Sequence, residues 1–259
     1  MKKILLTTNV EGPDKNALDF ASYLCRLTKS KLTGVFLENV LAKDNGHEHK
    51  KVLVENSISL FKDACITREV GFSVHRDRAL PVGEIVKESR FADLVVTAPG
   101  ISFNSHAAGY PSEFVKEILK ASECPVIIAP ENFTSIDEII FTYDRSASSV
   151  FAIKQFTYLF PELCGKKTTI IQVNKTGQWT DPDKYKFNEW LKDHFKDLHF
   201  EARKAADDTG LFECLFQRKN AFIVMGAYGG NTLLQFFKKS HADLLIKTTS
   251  QPIFITHLK

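Results

Sequence analysis

The sequence contains no long uninterrupted hydrophobic run. The first apolar stretch, Ile4 to Leu6, is followed at once by polar residues and is too short for the core of a signal peptide. Elsewhere, charged or turn residues interrupt each apolar stretch well before the roughly 20 residues that a membrane-spanning helix needs. We therefore expect a cytoplasmic protein with no membrane partner.

An excess of charge of one sign is also missing. The 259 residues include 34 basic and 31 acidic side chains, for a formal net charge of +3. Since binding to nucleic acid depends on a strongly basic surface, this balance does not favour a nucleic acid partner. With 44% hydrophobic and 25% charged residues, the composition is typical of a globular protein long enough for two domains.

The sequence also lacks paired cysteines. The five cysteines are odd in number, widely scattered and never arranged as Cys-x-x-Cys, so neither a disulfide framework nor a metal site is indicated. Cys25 lies among apolar helical residues and Cys124 precedes an apolar strand, which favours reduced thiols in the core. His47 to His49 lie in a polar segment without the spacing of a zinc-protease helix. We predict a solvated loop there.

What the sequence does contain is one internal repeat. An apolar strand that ends in Asn or Asp opens each half, at residues 3–9 and 138–144, and a polar turn and a helical pattern follow each strand. Asp14 is placed to cap the first of these helices and Pro161 to end its counterpart. Further strands are predicted in matching order, at residues 32–37, 71–75, 93–97 and 125–129 and at residues 168–173, 198–202, 221–225 and 252–256.

This alternation of strands and helices predicts the fold. Such sequences form parallel sheets through right-handed crossovers. We expect two tandem, doubly wound domains of the Rossmann-like, adenine nucleotide α-hydrolase-like type, each with a five-stranded parallel sheet. The turn-rich segment at residues 130–133 places them at residues 1–132 and 133–259. One continuous sheet of ten strands is the alternative, but the second half restarts the order of elements instead of extending it.

Two strand ends in the second half are candidate ligand sites, because doubly wound sheets bind ligands beyond the carboxyl ends of their strands. Thr142, Tyr143 and Asp144 end one strand, and the Asp144 carboxylate can accept hydrogen bonds from a base or a ribose. The glycine-rich turn at residues 226–230 follows a second strand, and the main chain of this turn can approach a phosphate closely. Taken alone, such glycines more often serve the geometry of the turn itself.

The order of elements, across nearly the whole chain, resembles that of the universal stress protein family. The family's nucleotide motif is Gly-x-x-Gly, nine residues, then Gly-Ser or Gly-Thr. Gly226 and Gly229 match the first pair and Ser240 matches the hydroxyl, whereas Lys239 replaces the remaining glycine. The lysine could either crowd the phosphates or neutralise them. A Walker A loop is excluded, because Lys238-Lys239-Ser240 lacks the preceding glycine.

The resemblance implies a set of residues around a nucleotide in the second half. Asp144 matches the aspartate that contacts adenosine, and Gly226, Gly229 and Ser240 match residues around the ribose and phosphates. The full set is Thr142, Tyr143, Asp144, Gly226, Gly229, Gly230, Lys239 and Ser240.

The first half departs further from the family motif. Asn9 stands at the aspartate position, Ala98 to Ile101 replace Gly-x-x-Gly, and Ser112-Glu113 stand at the later pair. A carboxylate near the phosphate position would repel ATP. We therefore interpret the first half as structural or partner-binding.

The resemblance implies a regulatory protein of the stress response. ATP or another adenine nucleotide, with Mg²⁺ as a companion, would bind mainly in the second domain, and catalysis is not required. The first domain would act as a built-in dimer partner in an intramolecular pseudo-dimer, and a homodimer and a further protein partner are also compatible with it. Two alternatives stay open: a slow ATP hydrolase or phosphotransfer enzyme that uses Asp144, Lys239 and Ser240, and a nucleotide-free interaction module.

Overall fold

The structure, a computed structural model, describes residues 1–9, 11–39, 47–103, 110–180, 184–205, 209–226 and 251–256. The chain divides into two compact units, Met1–Glu131 and Asn132–Lys259. Within the described residues, no helix combines the length and the apolar character needed to cross a bilayer.

The first unit is an alternating series of strands and helices. Its strands are all parallel and lie in the order β3-β2-β1-β4-β5. The elements are β1 (Lys3–Thr8), α1 (Lys15–Thr28), β2 (Lys31–Asn39), α2 (His47–Thr67), β3 (Phe72–Ala79), α3 (Pro81–Ser89), β4 (Leu94–Thr97), α4 (Glu113–Ala121) and β5 (Val126–Ile128).

The second unit repeats the series. Its parallel strands lie in the order β10-β9-β6-β7-β8, which confirms the predicted fold class. The helix predicted before the last strand lies outside the described residues. The elements are β6 (Glu138–Thr142), α5 (Ala147–Leu159), a 3-10 turn (Pro161–Leu163), β7 (Lys167–Asn174), α6 (Lys184–His194), β8 (Leu198–Lys204), α7 (Thr209–Phe216), β9 (Ala221–Gly226) and β10 (Ile253–Thr256).

The predicted helix boundaries of the repeat are confirmed. Asp14 Oδ1 accepts a hydrogen bond from the Ala17 amide at 2.8 Å and so caps α1. Helix α5 ends at Leu159, and Pro161, which has no amide hydrogen to continue the ladder, begins the 3-10 turn.

The loop predicted at residues 47–49 is wrong, because these residues form the first turn of α2. Farther along this helix, Val54, Phe61 and Cys65 recur at helical spacing and are buried. The Phe61 ring centroid lies 5.6 Å from that of Phe36 on β2. Polar residues that precede such an anchored stretch can join its helix without apolar periodicity of their own.

Helix α5 is held on the second sheet by aromatic packing. The ring centroid of Phe156 lies 5.7 Å from that of Phe141 on β6, 5.0 Å from that of Phe222 on β9 and 5.6 Å from that of Phe254 on β10. All four side chains are buried, and edge-to-face pairs of this kind add to the free energy gained by burial. One residue therefore ties α5 to three strands.

The cysteines are free thiols, as predicted. Cys25 is buried, and Cys124 is less enclosed than we expected. Burial, with the nearby Cys65 as a smaller cause, raises the pKa of Cys25 to about 12, and burial raises the pKa of Cys124 to about 12. Both thiols stay protonated near neutral pH, and protonated thiols are poor nucleophiles.

A network of charged side chains links strands of the second unit. The Arg218 guanidinium donates to both carboxylate oxygens of Glu201 on β8 at 2.7 Å and lies 3.4 Å from Glu138 on β6. Burial opposes ionisation of Glu201, but the hydrogen bonds from Arg218 and Arg203 outweigh it and lower the pKa of this carboxyl. The ionised Glu201 is therefore favoured in the folded state.

Replacing this carboxylate should make stability less dependent on pH. We expect Glu201→Gln to lower the free energy of unfolding at pH 7 by about 2 kcal/mol, because it removes a hydrogen-bonded charge pair. Because the pKa of Glu201 is lower in the folded state, this carboxylate stabilises the fold above its unfolded-state pKa. That stabilisation is lost as the pH falls through its folded-state pKa. The difference between variant and parent should shrink below about pH 4.

Urea denaturation at several pH values measures this effect. The matched control is Glu213→Gln on α7, since Glu213 is exposed, and it should change stability by less than about 0.5 kcal/mol. A difference for Glu201→Gln that stays constant down to pH 3 would contradict the assignment.

Candidate functional site

The order of strands in the second unit defines where a ligand could bind. The chain leaves β6 toward β7 on one side and returns to β9 on the other, so the connections diverge at the carboxyl ends of β6 and β9. Phe141 and Val224 are paired neighbours in these strands. One residue farther along, Thr142 Oγ1 donates to the Val224 carbonyl at 3.2 Å.

Half of the predicted nucleotide site lies at this edge. Thr142 ends β6, Tyr143 and Asp144 follow it, and Gly226 ends the neighbouring β9. The sheet therefore brings together residues that are far apart in the sequence. The remaining predicted residues, Gly229, Gly230, Lys239 and Ser240, lie outside the described part of the chain.

The two carboxylate oxygens of Asp144 differ in their contacts with the described residues. Its Oδ1 accepts from the Ser146 amide at 2.9 Å, and Ser146 in turn caps α5 through its hydroxyl, which accepts from the Ser149 amide at 3.1 Å. Between them, Arg145 adopts a left-handed conformation with φ of 69°. Asp144 is exposed, and its Oδ2 has no hydrogen-bond partner among the described residues. None of those residues competes with a ligand for this oxygen.

Asn9 in the first unit makes the same turn without the charge. Its Oδ1 accepts from the Glu11 amide at 3.1 Å, so each side chain bonds to the backbone two residues ahead. This turn alone explains why Asn or Asp follows the first strand of each half. The negative charge is the property that distinguishes Asp144, and the turn does not require it.

Gly226 has a packing role at the site. A Cβ atom at this position would lie 2.5 Å from the carbonyl carbon of Ser148 and 2.7 Å from the amide nitrogen of Ser149. The first turn of α5 therefore lies directly against the end of β9, and only glycine leaves enough room. The geometry accounts for this glycine without a phosphate.

The sequence reasoning missed an aromatic stack beside Asp144. The Tyr143 ring is nearly parallel to those of Phe187 and Trp179, with ring centroids 4.4 Å and 5.6 Å away. Trp179 lies in the irregular segment between β7 and α6, whereas Phe187 lies on α6. Its buried Nε1 has no hydrogen-bond partner within the described residues. A tryptophan in a polar segment just after a strand was the available signal.

Hydrogen bonds join neighbouring segments at the corresponding edge of the first unit. The Ser112 amide donates to the Pro99 carbonyl at 3.0 Å, and its hydroxyl donates to the Ile101 carbonyl and accepts from the Val115 amide. The Ser112 hydroxyl, in the segment that stands at the later pair of the motif, is thus already bonded to main-chain atoms. Glu113 pairs with Lys116 at 2.6 Å, and this hydrogen bond lowers the pKa of Glu113.

Comparison with solved structures identifies the fold. A universal stress protein from Archaeoglobus fulgidus DSM 4304 superposes with a TM-score of 0.74 at 17% sequence identity, over 98% of this chain and 96% of that one. The chain has the universal stress protein fold. The match covers both units, so the resemblance found in the sequence is confirmed for the fold of the whole chain.

Two further structures share this universal stress protein fold. A proposed universal stress protein from Pseudomonas aeruginosa UCBPP-PA14 and a functionally unknown protein from Pseudomonas aeruginosa PAO1 both have TM-scores of 0.57. Their identities are 14% and 15%, and the matches cover 99% of this chain and 93% and 92% of theirs. Scans with the sequence itself find no matching family model and no matching curated protein. A fold does not by itself assign an activity.

The packing role of Gly226 gives a direct test of this edge. We expect Gly226→Ala to lower the free energy of unfolding by about 3 kcal/mol, because the methyl group would overlap main-chain atoms of α5. The matched control is Gly165→Ala in the same unit, where an added Cβ has no atom within 4 Å. Thermal denaturation of both variants measures the effect, and equal stability would show that α5 does not lie against β9.

Proposed function

We propose that the second unit binds an adenine nucleotide at the edge formed by β6 and β9, and that binding regulates interaction with a protein partner in a stress response. The observation that carries the proposal is the exposed Oδ2 of Asp144, a charged acceptor that the turn does not use. It lies at the divergence of connections where doubly wound folds bind ligands. The first unit has an uncharged Asn9 at the equivalent position.

Asp144 supports contact with the adenosine part of such a ligand. Asp144 Oδ2 can accept from a ribose hydroxyl or from the exocyclic amine of adenine. Thr142 and Tyr143 form the strand end beneath it, and the close contact of α5 with Gly226 fixes the position of the turn. The phosphates, with any Mg²⁺, would lie toward Gly229, Gly230 and Ser240. Lys239 would supply a positive charge there.

Calorimetric titration with ATP, ADP and AMP tests the proposal. Saturable binding of at least one nucleotide is expected, and Asp144→Asn should weaken it about tenfold or more, because it removes the charge and keeps the turn. The matched control is Asp193→Asn on the exposed surface of α6, which should bind like the parent. Heat from none of the three nucleotides would favour the nucleotide-free interaction module.

The aromatic stack offers a second, independent readout. Replacing Trp190 by Phe leaves Trp179 as the single tryptophan, because the chain has two. Since Trp179 stacks on Tyr143 next to Asp144, its fluorescence should change on titration with the nucleotide found by calorimetry, with the same midpoint. Ribose and inorganic phosphate are the control ligands and should produce no change. Calorimetric binding with unchanged Trp179 emission would place the nucleotide away from this edge.

A further inference from the structure

A histidine and two glutamates converge in the first unit, away from the strand ends described above. His75 lies on β3, and Glu84 and Glu88 lie one turn apart on α3. Each residue has one nitrogen or oxygen atom that could bind a metal ion, and these three atoms lie within 4.8 Å of one another. The residues therefore form a three-ligand cluster from two elements.

The cluster is poorly satisfied by hydrogen bonds. His75 Nε2 lies 3.5 Å from Glu84 Oε1, and Nδ1 lies 3.6 Å from Glu88 Oε1. Both distances are longer than an N–H···O hydrogen bond. Nε2 is buried, without a hydrogen-bond partner within the described residues. Glu84 is 8% exposed, which makes a carboxylate without a close donor costly.

The spacing of these atoms fits a tetrahedral metal ion. Ligands bonded at about 2.1 Å to a tetrahedral zinc ion lie about 3.4 Å from one another. The 3.5 Å between His75 Nε2 and Glu84 Oε1 matches this separation. Imidazole and carboxylate are common ligands of zinc and of other first-row metals. Glu88 lies nearest to the other ring nitrogen, Nδ1, so its side chain has to rotate to bring an oxygen to an ion bound at Nε2.

Two lysines lie beside the outer oxygens of the same carboxylates. Lys3 Nζ donates to Glu88 Oε2 at 3.0 Å, and Lys87 Nζ lies 3.5 Å from Glu84 Oε2. The inner oxygens, Oε1 of each glutamate, face the imidazole. The lysines thus lie at the outer oxygens, and the inner oxygen of each carboxylate remains on the side of the imidazole.

We propose that His75, Glu84 and Glu88 bind one divalent transition metal ion, with zinc as the best fit. Three protein ligands leave a fourth position for water, as in open zinc sites. The site would join β3 to α3 and would stabilise the first unit when filled. The competing interpretation is an ion pair between a protonated His75 and the two carboxylates, which needs no metal.

Titration of the chelator-treated full chain with Co²⁺ and Zn²⁺ tests the proposal. We expect one equivalent of Co²⁺ to bind with a visible absorption band, Zn²⁺ to displace it, and Zn²⁺ to raise the melting temperature. His75→Gln and Glu84→Gln should each abolish these three effects, with circular dichroism confirming that the variants fold.

Two controls separate this cluster from other histidines. His199→Gln, which removes a histidine paired with Asp197 alone, should keep full binding. The double variant His47→Gln with His49→Gln should also keep it, which excludes the His-rich stretch. Absence of a bound equivalent in the parent, or its persistence in His75→Gln, would overturn the proposal in favour of the ion pair.

Discussion

The packing of α5 on the second sheet is the contact on which the candidate site depends. Phe156 ties the helix to three strands, and the bare Cα of Gly226 lets the first turn of α5 lie against the end of β9. Because Ser146 caps this helix and Asp144 bonds to Ser146, the position of the helix sets the position of the carboxylate. The burial of the apolar face of α5 thus fixes the position of the Asp144 carboxylate.

The two halves of the chain show how one turn can serve different purposes. Asn9 and Asp144 make the same local hydrogen bond, and each follows the first strand of its unit. The first unit then uses Ser112 to join two neighbouring carbonyls. The second keeps an exposed carboxylate oxygen. A repeat therefore conserves geometry while the ability to bind a ligand can differ between its copies.

Much of the fold could be predicted from the sequence, because it rests on local and periodic signals. Alternating apolar strands and helices, Asp14 as a cap and Pro161 as a stop all act over a few residues. The start of α2 could not be predicted, since its first turn carries no apolar pattern. The stack of Trp179 on Tyr143 and the cluster around His75 depend on residues that only the tertiary fold brings together. The role of Gly226 required the same information, because a motif cannot separate close packing from ligand binding.

If a nucleotide binds beside Asp144 and not at the matching turn of the first unit, it should protect only one of the two turns. Hydrogen exchange measured by mass spectrometry, with and without saturating ATP, distinguishes them. We expect slower exchange in peptides that cover residues 142–149 and unchanged exchange in those that cover residues 8–14. Equal protection of both segments, or protection of residues 8–14 alone, would contradict it.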